Sequence, residues 1–269
     1  MNESSTRLQG RDAVAGMFAQ AKAEQRAAFL PYFTLGYPNY DASLEIIKGM
    51  ADAGVDGFEI GVPFSDPLAD GPVLQMAALA ALEQGITVRK CLEGIRTLRA
   101  QGVHQPMFVF SYLNPLLAYG AEQIVRDAKA AGADGFIIPD LPAEEADLFA
   151  PYCEAEGMAL VFFLAPTSNP RRIEIASQNA RGFIYVVSVT GITGARRDLP
   201  PDLTDFIARL RQATDQPLVL GFGISTPEQA RSMNTLVDGF IVGSALVRAA
   251  QESPAAAVAL GQSLRAALD

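Results

Sequence analysis

Short apolar runs alternate with segments of helical periodicity along most of the chain. Runs suited to buried strands fall near residues 28–35, 57–62, 106–112, 135–140, 159–165, 182–189, 217–223 and 239–245. Between them, apolar positions recur at helical spacing, as in Leu44, Ile47, Met50 and Ala51, or Ile124, Val125, Ala128 and Ala131. A further helix, Arg11 to Gln25, precedes the first run. Apolar strands separated by helices predict parallel strands with helical crossovers. Eight such units in ~250 residues predict a closed (β/α)8 TIM barrel with an extra N-terminal helix, spanning residues 1–269 as one domain. A doubly wound open sheet is the alternative, but no Gly-x-Gly-x-x-Gly follows the first strand.

A strand-entry motif repeats along this pattern. Asp56-Gly57-Phe58, Asp134-Gly135-Phe136 and Asp238-Gly239-Phe240 each open a strand, and Arg181-Gly182-Phe183 is a variant copy. The residue after the phenylalanine is Ile137, Ile184 and Ile241 in three copies, but Glu59 in the other. Strand alternation puts that position on the face opposite the phenylalanine. If the phenylalanines pack outward against helices, Glu59 points into the barrel. A carboxylate there loses hydration, which raises its pKa and suits it to acid–base work near neutrality.

Composition removes several classes of function. With 30 acidic against 21 basic side chains, the net charge of −9 disfavours binding to a nucleic-acid backbone. No apolar run approaches the ~18–20 residues of a membrane span, and Met1-Asn-Glu-Ser-Ser-Thr-Arg-Leu8 has no signal-peptide core, so a cytoplasmic protein is expected. Cys91 and Cys153 stand in unrelated contexts and read as packing residues. The single histidine, His104, cannot build a multi-histidine metal site. The 4 lysines, Lys22, Lys48, Lys90 and Lys129, all fall in helical stretches rather than in an apolar strand that would activate a Schiff-base amine.

The chemistry concentrates after the second strand. Gly61-Val-Pro-Phe-Ser-Asp-Pro-Leu-Ala-Asp-Gly-Pro72 forms a long loop stiffened by Pro63, Pro67 and Pro72, and it brings Asp66 and Asp70 to the barrel's C-terminal face. Gly221-Phe222-Gly223 closes the seventh strand, while Gly243-Ser244 closes the eighth and opens a helix. Loops after these two strands are the usual phosphate site of such barrels, because glycine amides and a helix N-terminus approach an anion closely. Gly223, Gly243 and Ser244 are therefore candidate phosphate ligands.

The run from Phe58 to Pro72 resembles the signature of tryptophan synthase alpha subunits. Pro31-Tyr-Phe-Thr-Leu-Gly36, Tyr112-Leu-Asn-Pro115, Pro139-Asp-Leu-Pro142, Ala165-Pro-Thr167 and Thr190-Gly-Ile-Thr-Gly-Ala-Arg196 resemble further segments of that family. Departures are small: Phe58 replaces a usual aliphatic residue, and Met233-Asn-Thr-Leu-Val237 replaces a glycine-containing helix end.

The resemblance implies reversible retro-aldol cleavage of indole-3-glycerol phosphate to indole and glyceraldehyde 3-phosphate. Glu59 would shuttle protons and Asp70 would stabilise charge at the indole nitrogen. It also implies an indole pocket of Tyr32, Phe110, Ile137, Tyr185 and Phe222, a third phosphate contact at Gly194, and loop closure involving Thr193. No cofactor is expected in this chain; pyridoxal phosphate would belong to a partner beta subunit in an alpha2-beta2 tetramer, met through Asp66, Pro67, Leu68 and Asn114. Alternatives are a stand-alone indole-3-glycerol-phosphate lyase releasing free indole, another phosphate-binding barrel enzyme, or a noncatalytic subunit. Neither of the last two explains the Glu59-to-Pro72 run with its two carboxylates.

Overall fold

The computed structural model describes residues 7–187, 201–221 and 223–269. Its strands are β1 (Ala28–Thr34), β2 (Phe58–Gly61), β3 (Met107–Phe110), β4 (Gly135–Ile137), β5 (Ala159–Leu164), β6 (Ile184–Val187), β7 (Leu218–Gly221) and β8 (Gly239–Val242). All pair in parallel with their sequence neighbours, and β8 closes on β1, giving the expected barrel. Each strand falls within an apolar run and mostly stops short of its C-terminal end, because the last residues of each run turn outward to form the loops of the active face. The first half of the chain contributes the helices α1 (Gly10–Ala23), α2 (Tyr40–Asp52), α3 (Pro72–Glu83), α4 (Val88–Ala100), α5 (Leu113–Tyr119) and α6 (Ala121–Ala131). The second half adds α7 (Ala150–Ala155), α8 (Pro170–Asn179), α9 (Pro201–Ala213), α10 (Pro227–Met233), α11 (Ser244–Glu252) and α12 (Pro254–Ala266).

Alternation along the strands builds two cores. Outward-facing Phe29, Phe33, Phe58, Phe136, Phe162 and Phe240 pack in the layer beneath the helices. Inward-facing Leu30, Tyr32, Phe108, Phe110, Ile137, Val161, Tyr185 and Ile241 fill the barrel. The N-terminal helix α1 closes the bottom, placing Val14, Met17, Phe18 and Ala21 in the inner core. All 4 lysines sit on α1, α2, α4 and α6, and both cysteines are free and buried.

The repeated strand entry is a clasp between neighbouring strands. In each Asp-Gly-Phe copy the aspartate amide donates to the carbonyl of a residue early in the preceding strand, and the aspartate carboxylate accepts that same residue's amide. The pairs are Asp56 with Phe29, Asp134 with Met107, and Asp238 with Leu218, with amide-to-carboxylate distances of 2.8, 3.0 and 2.7 Å. An arginine then neutralises each carboxylate: Arg26 at Asp56, Arg7 and Arg99 at Asp134, and Arg211 at Asp238. Asp134 also accepts the Gly10 amide at 2.8 Å, which ties the plug helix to the barrel floor.

The fourth copy corrects one expectation. Arg181 has no carboxylate, and its backbone does both jobs, exchanging hydrogen bonds of 2.9 and 3.0 Å with Leu160 as an antiparallel bridge. Gly182 then takes φ of 137°, a conformation L side chains rarely adopt, and the strand starts one residue out of phase. Phe183 therefore points inward, edge-on to Phe18 and Phe108 at 5.9 and 5.3 Å, and Ile184 faces the helices. Ile184 is thus not the counterpart of Glu59, whereas Ile137 and Ile241 are, both lying in the inner core.

The clasps predict graded stability. Asp134 is fully buried, and its loss strips Arg7 and Arg99 of their carboxylate and leaves two amides without a partner; the Asp238 side chain is 35% accessible. Asp134→Ala is expected to lower unfolding free energy by about 3–5 kcal/mol, and Asp238→Ala by about 1 kcal/mol, in chemical denaturation. Equal losses at the two positions would contradict the clasp hierarchy.

Candidate active site

Glu59 faces the barrel interior because Phe58 and Ile60 on either side of it anchor the outer core. It pairs in register with Tyr32 of β1 and Phe108 of β3, and the residue is 1% exposed. Its Oε1 atom has no hydrogen-bond partner. Burial pushes the carboxyl pKa well above the usual glutamate value, and the nearby Asp70 charge adds to the rise. Desolvation, with no bond to favour the anion, favours the protonated form.

Asp70 ends the loop after β2, immediately before Gly71 at the start of α3. Burial raises its pKa to about 6, opposed by a hydrogen bond from the Tyr112 hydroxyl. Tyr112 serves as a bracket. Its hydroxyl accepts the Ala69 amide at 2.9 Å, and its ring packs on Phe64 of the same loop at 5.5 Å. The two carboxylates therefore differ: Glu59 has no partner, while Asp70 has one that favours its charge. Environments that separate two carboxyl pKa values are how acid and base roles are divided.

Above this pair opens a cavity of about 500 Å³, within the range of small-ligand sites. Tyr32, Phe110 and Tyr185 line it as expected, joined by Phe163, Pro139 and Ile241. Tyr32 meets Phe110 edge-on at 5.2 Å, and Phe163 stacks on Tyr185 at 4.4 Å. Each tyrosine lies across a strand glycine. A Cβ on Gly61 would overlap the Tyr32 hydroxyl, and one on Gly221 would overlap the Tyr185 ring. Burial, with Asp70 and Glu59 nearby, holds both phenols protonated, their pKa values pushed well above the usual tyrosine range.

Small and polar residues from the ends of β7 and β8 complete the lining: Gly223, Ser225, Gly243 and Ser244. Gly243 stands at the N-cap of α11 and has no side chain to cap the first turn, so those amides stay open to an anion. Among the described residues no group of three or more His, Cys, Asp or Glu is arranged to hold a metal ion, and no helix is long and apolar enough to cross a membrane.

Ile137 does not line the cavity. It is fully buried in the barrel core beside Phe110, and Pro139, two residues further on, lines the cavity. Thr193, Gly194 and Phe222 lie outside the described residues. Asp66, Leu68 and Asn114 are exposed and Pro67 half-buried; Leu68 is 93% accessible, and Leu117 nearby is exposed as well. Sequence reasoning missed Phe163, Tyr112 and Arg248. Counting two residues on from inward Val161 would have found the first, and counting one helical turn on from Ser244 the last.

A family model described as tryptophan synthase alpha chain matches residues 18–266. The chain belongs to the tryptophan synthase alpha chain family. It is 46% identical to the tryptophan synthase alpha chain of Chloroflexus aurantiacus over 90% of this chain and 91% of that one. Tryptophan synthase from Mycobacterium tuberculosis superposes with a TM-score of 0.90 at 35% identity, covering 97% of this chain and 99% of that one. The alpha subunit from Legionella pneumophila gives a TM-score of 0.89 at 33% identity, with 97% and 99% covered. Family membership thus agrees with what the loop from Phe58 to Pro72 implies.

The unpartnered carboxyl sets a pH signature. The unfolded chain ionises Glu59 near 4.5, whereas the folded chain retains the proton to well above that pH. The unfolded state then binds fewer protons, so stability falls as pH rises past 4.5 and levels off only beyond the folded pKa. Glu59→Gln lacks this titration. Relative to wild type, the variant is expected to gain stability steadily as pH rises from about 4 to 8, measured by denaturant unfolding. A difference independent of pH would show that Glu59 ionises normally.

Proposed function

We propose that this chain cleaves indole-3-glycerol phosphate reversibly to indole and glyceraldehyde 3-phosphate, with Glu59 as proton shuttle and Asp70 as electrostatic stabiliser. The observation that carries the reading is the buried Glu59 oxygen without a partner beneath a cavity of substrate size. A structural carboxyl would have been given a hydrogen bond.

The reaction needs an electron sink, and protonated indole supplies it. The Glu59 carboxyl delivers its proton to indole C3, and the positive charge settles on the ring nitrogen, where the Asp70 carboxylate offsets it. The bond between C3 and the adjacent hydroxyl-bearing carbon then breaks, and its electrons restore the aromatic ring. The hydroxyl proton passes to the Glu59 carboxylate as the aldehyde forms, which returns Glu59 to its starting state. Its raised pKa suits the first step, because the group begins as the acid.

In this reading Tyr32, Phe110, Tyr185 and Phe163 hold the indole ring and exclude water. The amides around Gly223, Gly243 and Ser244, with Gly194, take the phosphate, and Thr193 and Phe222 complete the closed site. The chain is one barrel domain that works in the cytoplasm without a cofactor of its own. A beta subunit docks on the exposed loop of Asp66, Pro67 and Leu68 and on Asn114, and pyridoxal phosphate belongs to that partner.

An indole-release assay on indole-3-glycerol phosphate, with and without a beta subunit, tests the assignment. Glu59→Gln is expected to lose cleavage by a factor of about 10³ or more while keeping its fold, since it removes the proton shuttle. Asp70→Asn is expected to lower kcat by about 10²-fold with a much smaller change in KM. Near-normal turnover in Glu59→Gln would refute the mechanism. Unchanged kcat with raised KM in Asp70→Asn would reduce that residue to a binding group.

A further inference from the structure

We propose that Arg248 is the cation that orients the substrate in this cavity, by pairing with its phosphate beside the open amides of α11. This inference rests on the phosphate end assigned above and adds a side chain to what glycine amides alone would provide.

Arg248 is the one basic residue among the described residues lining the cavity, and it belongs to α11 after β8, whereas Glu59 and Asp70 come from β2 and the loop after it. It stands four residues after Ser244 on α11, so the two share a helix face. Helical side chains lean toward the N-terminus, which carries the guanidinium back over the Gly243–Ser244 turn. The residue is exposed and makes no ion pair or hydrogen bond with another described residue. Arg26, Arg99 and Arg211, by contrast, are committed to carboxylates of the strand clasps. A guanidinium presents paired donors that match phosphate oxygens.

Charge gives the group its purpose. A phosphate dianion entering the cavity of this acidic chain, net charge −9, meets repulsion at Asp70. A cation on α11 makes one orientation favourable and the reverse one unfavourable. The indole is then delivered to the carboxylates and the phosphate to α11. Because the phosphate is far from the bond that breaks, this contact is equally strong in the ground and transition states, so it acts on KM rather than kcat.

The test is steady-state cleavage, with inorganic phosphate as competitive inhibitor, for wild type, Arg248→Gln and Arg248→Lys at low and high salt. Arg248→Gln is expected to raise both KM and the phosphate inhibition constant about tenfold, in line with loss of one charge-assisted hydrogen bond, while kcat changes less than about twofold. Wild-type KM should rise with ionic strength, the Gln variant should lose most of that dependence, and the Lys variant should retain it. Wild type inhibited by phosphate with Arg248→Gln inhibited equally well would overturn the role of Arg248 and leave the phosphate end standing. Wild type indifferent to phosphate would overturn both. A joint loss of kcat and KM that lysine does not restore would mark a structural role and refute the proposal.

Discussion

A carboxyl group held inside a barrel without a hydrogen bond is the constraint around which the rest of the site is arranged. Glu59 occupies an inward position equivalent to those filled by Ile137 and Ile241 in the strands β4 and β8. Leaving a buried polar group unsatisfied costs about 1–3 kcal/mol. Two features at the barrel mouth keep that cost in place. Tyr32 and Tyr185 lie across Gly61 and Gly221, which fills the inner barrel on either side with phenol rings rather than with a donor bonded to the carboxyl. Asp70, held in its loop by Tyr112, adds a negative charge that further disfavours ionisation of Glu59.

The compensating stability sits at the other end of the barrel. There the Asp-Gly-Phe entries clasp β2 to β1, β4 to β3 and β8 to β7, each carboxylate paired with arginine and a backbone amide. The plug helix α1 joins the same network through Gly10 and Arg7. Barrels of this kind separate stability at the N-terminal face from chemistry at the C-terminal face. Here one short motif shows both uses: its aspartates hold the floor, and the single position where glutamate replaces isoleucine becomes the candidate acid.

Much of this was legible in the sequence. Apolar runs located all eight strands, because strands buried on both faces leave continuous apolar stretches. Glu59 was legible because a charged residue interrupts such a stretch. The inverted phase of Phe183 was not, since it depends on Arg181 exchanging a carboxylate bond for a backbone bridge, and side-chain alternation alone cannot reveal a one-residue slip. Pro139 and Ile137 exchanged roles for a related reason: β4 is only three residues long, and the cavity begins above its end. The bracket role of Tyr112 rests on a contact 43 residues away in sequence, beyond any local pattern.

The central claim, that Glu59 is a protonated carboxylic acid in the resting protein, is open to direct spectroscopy. Infrared difference spectra between wild type and Glu59→Gln at neutral pH, repeated with carbon-13-labelled glutamate, report the protonation state of this one side chain. A protonated Glu59 gives the carbonyl band of a neutral carboxylic acid, absent from the variant and persisting well above pH 4.5. A carboxylate signal at neutral pH, titrating near the ordinary glutamate value, would contradict the claim.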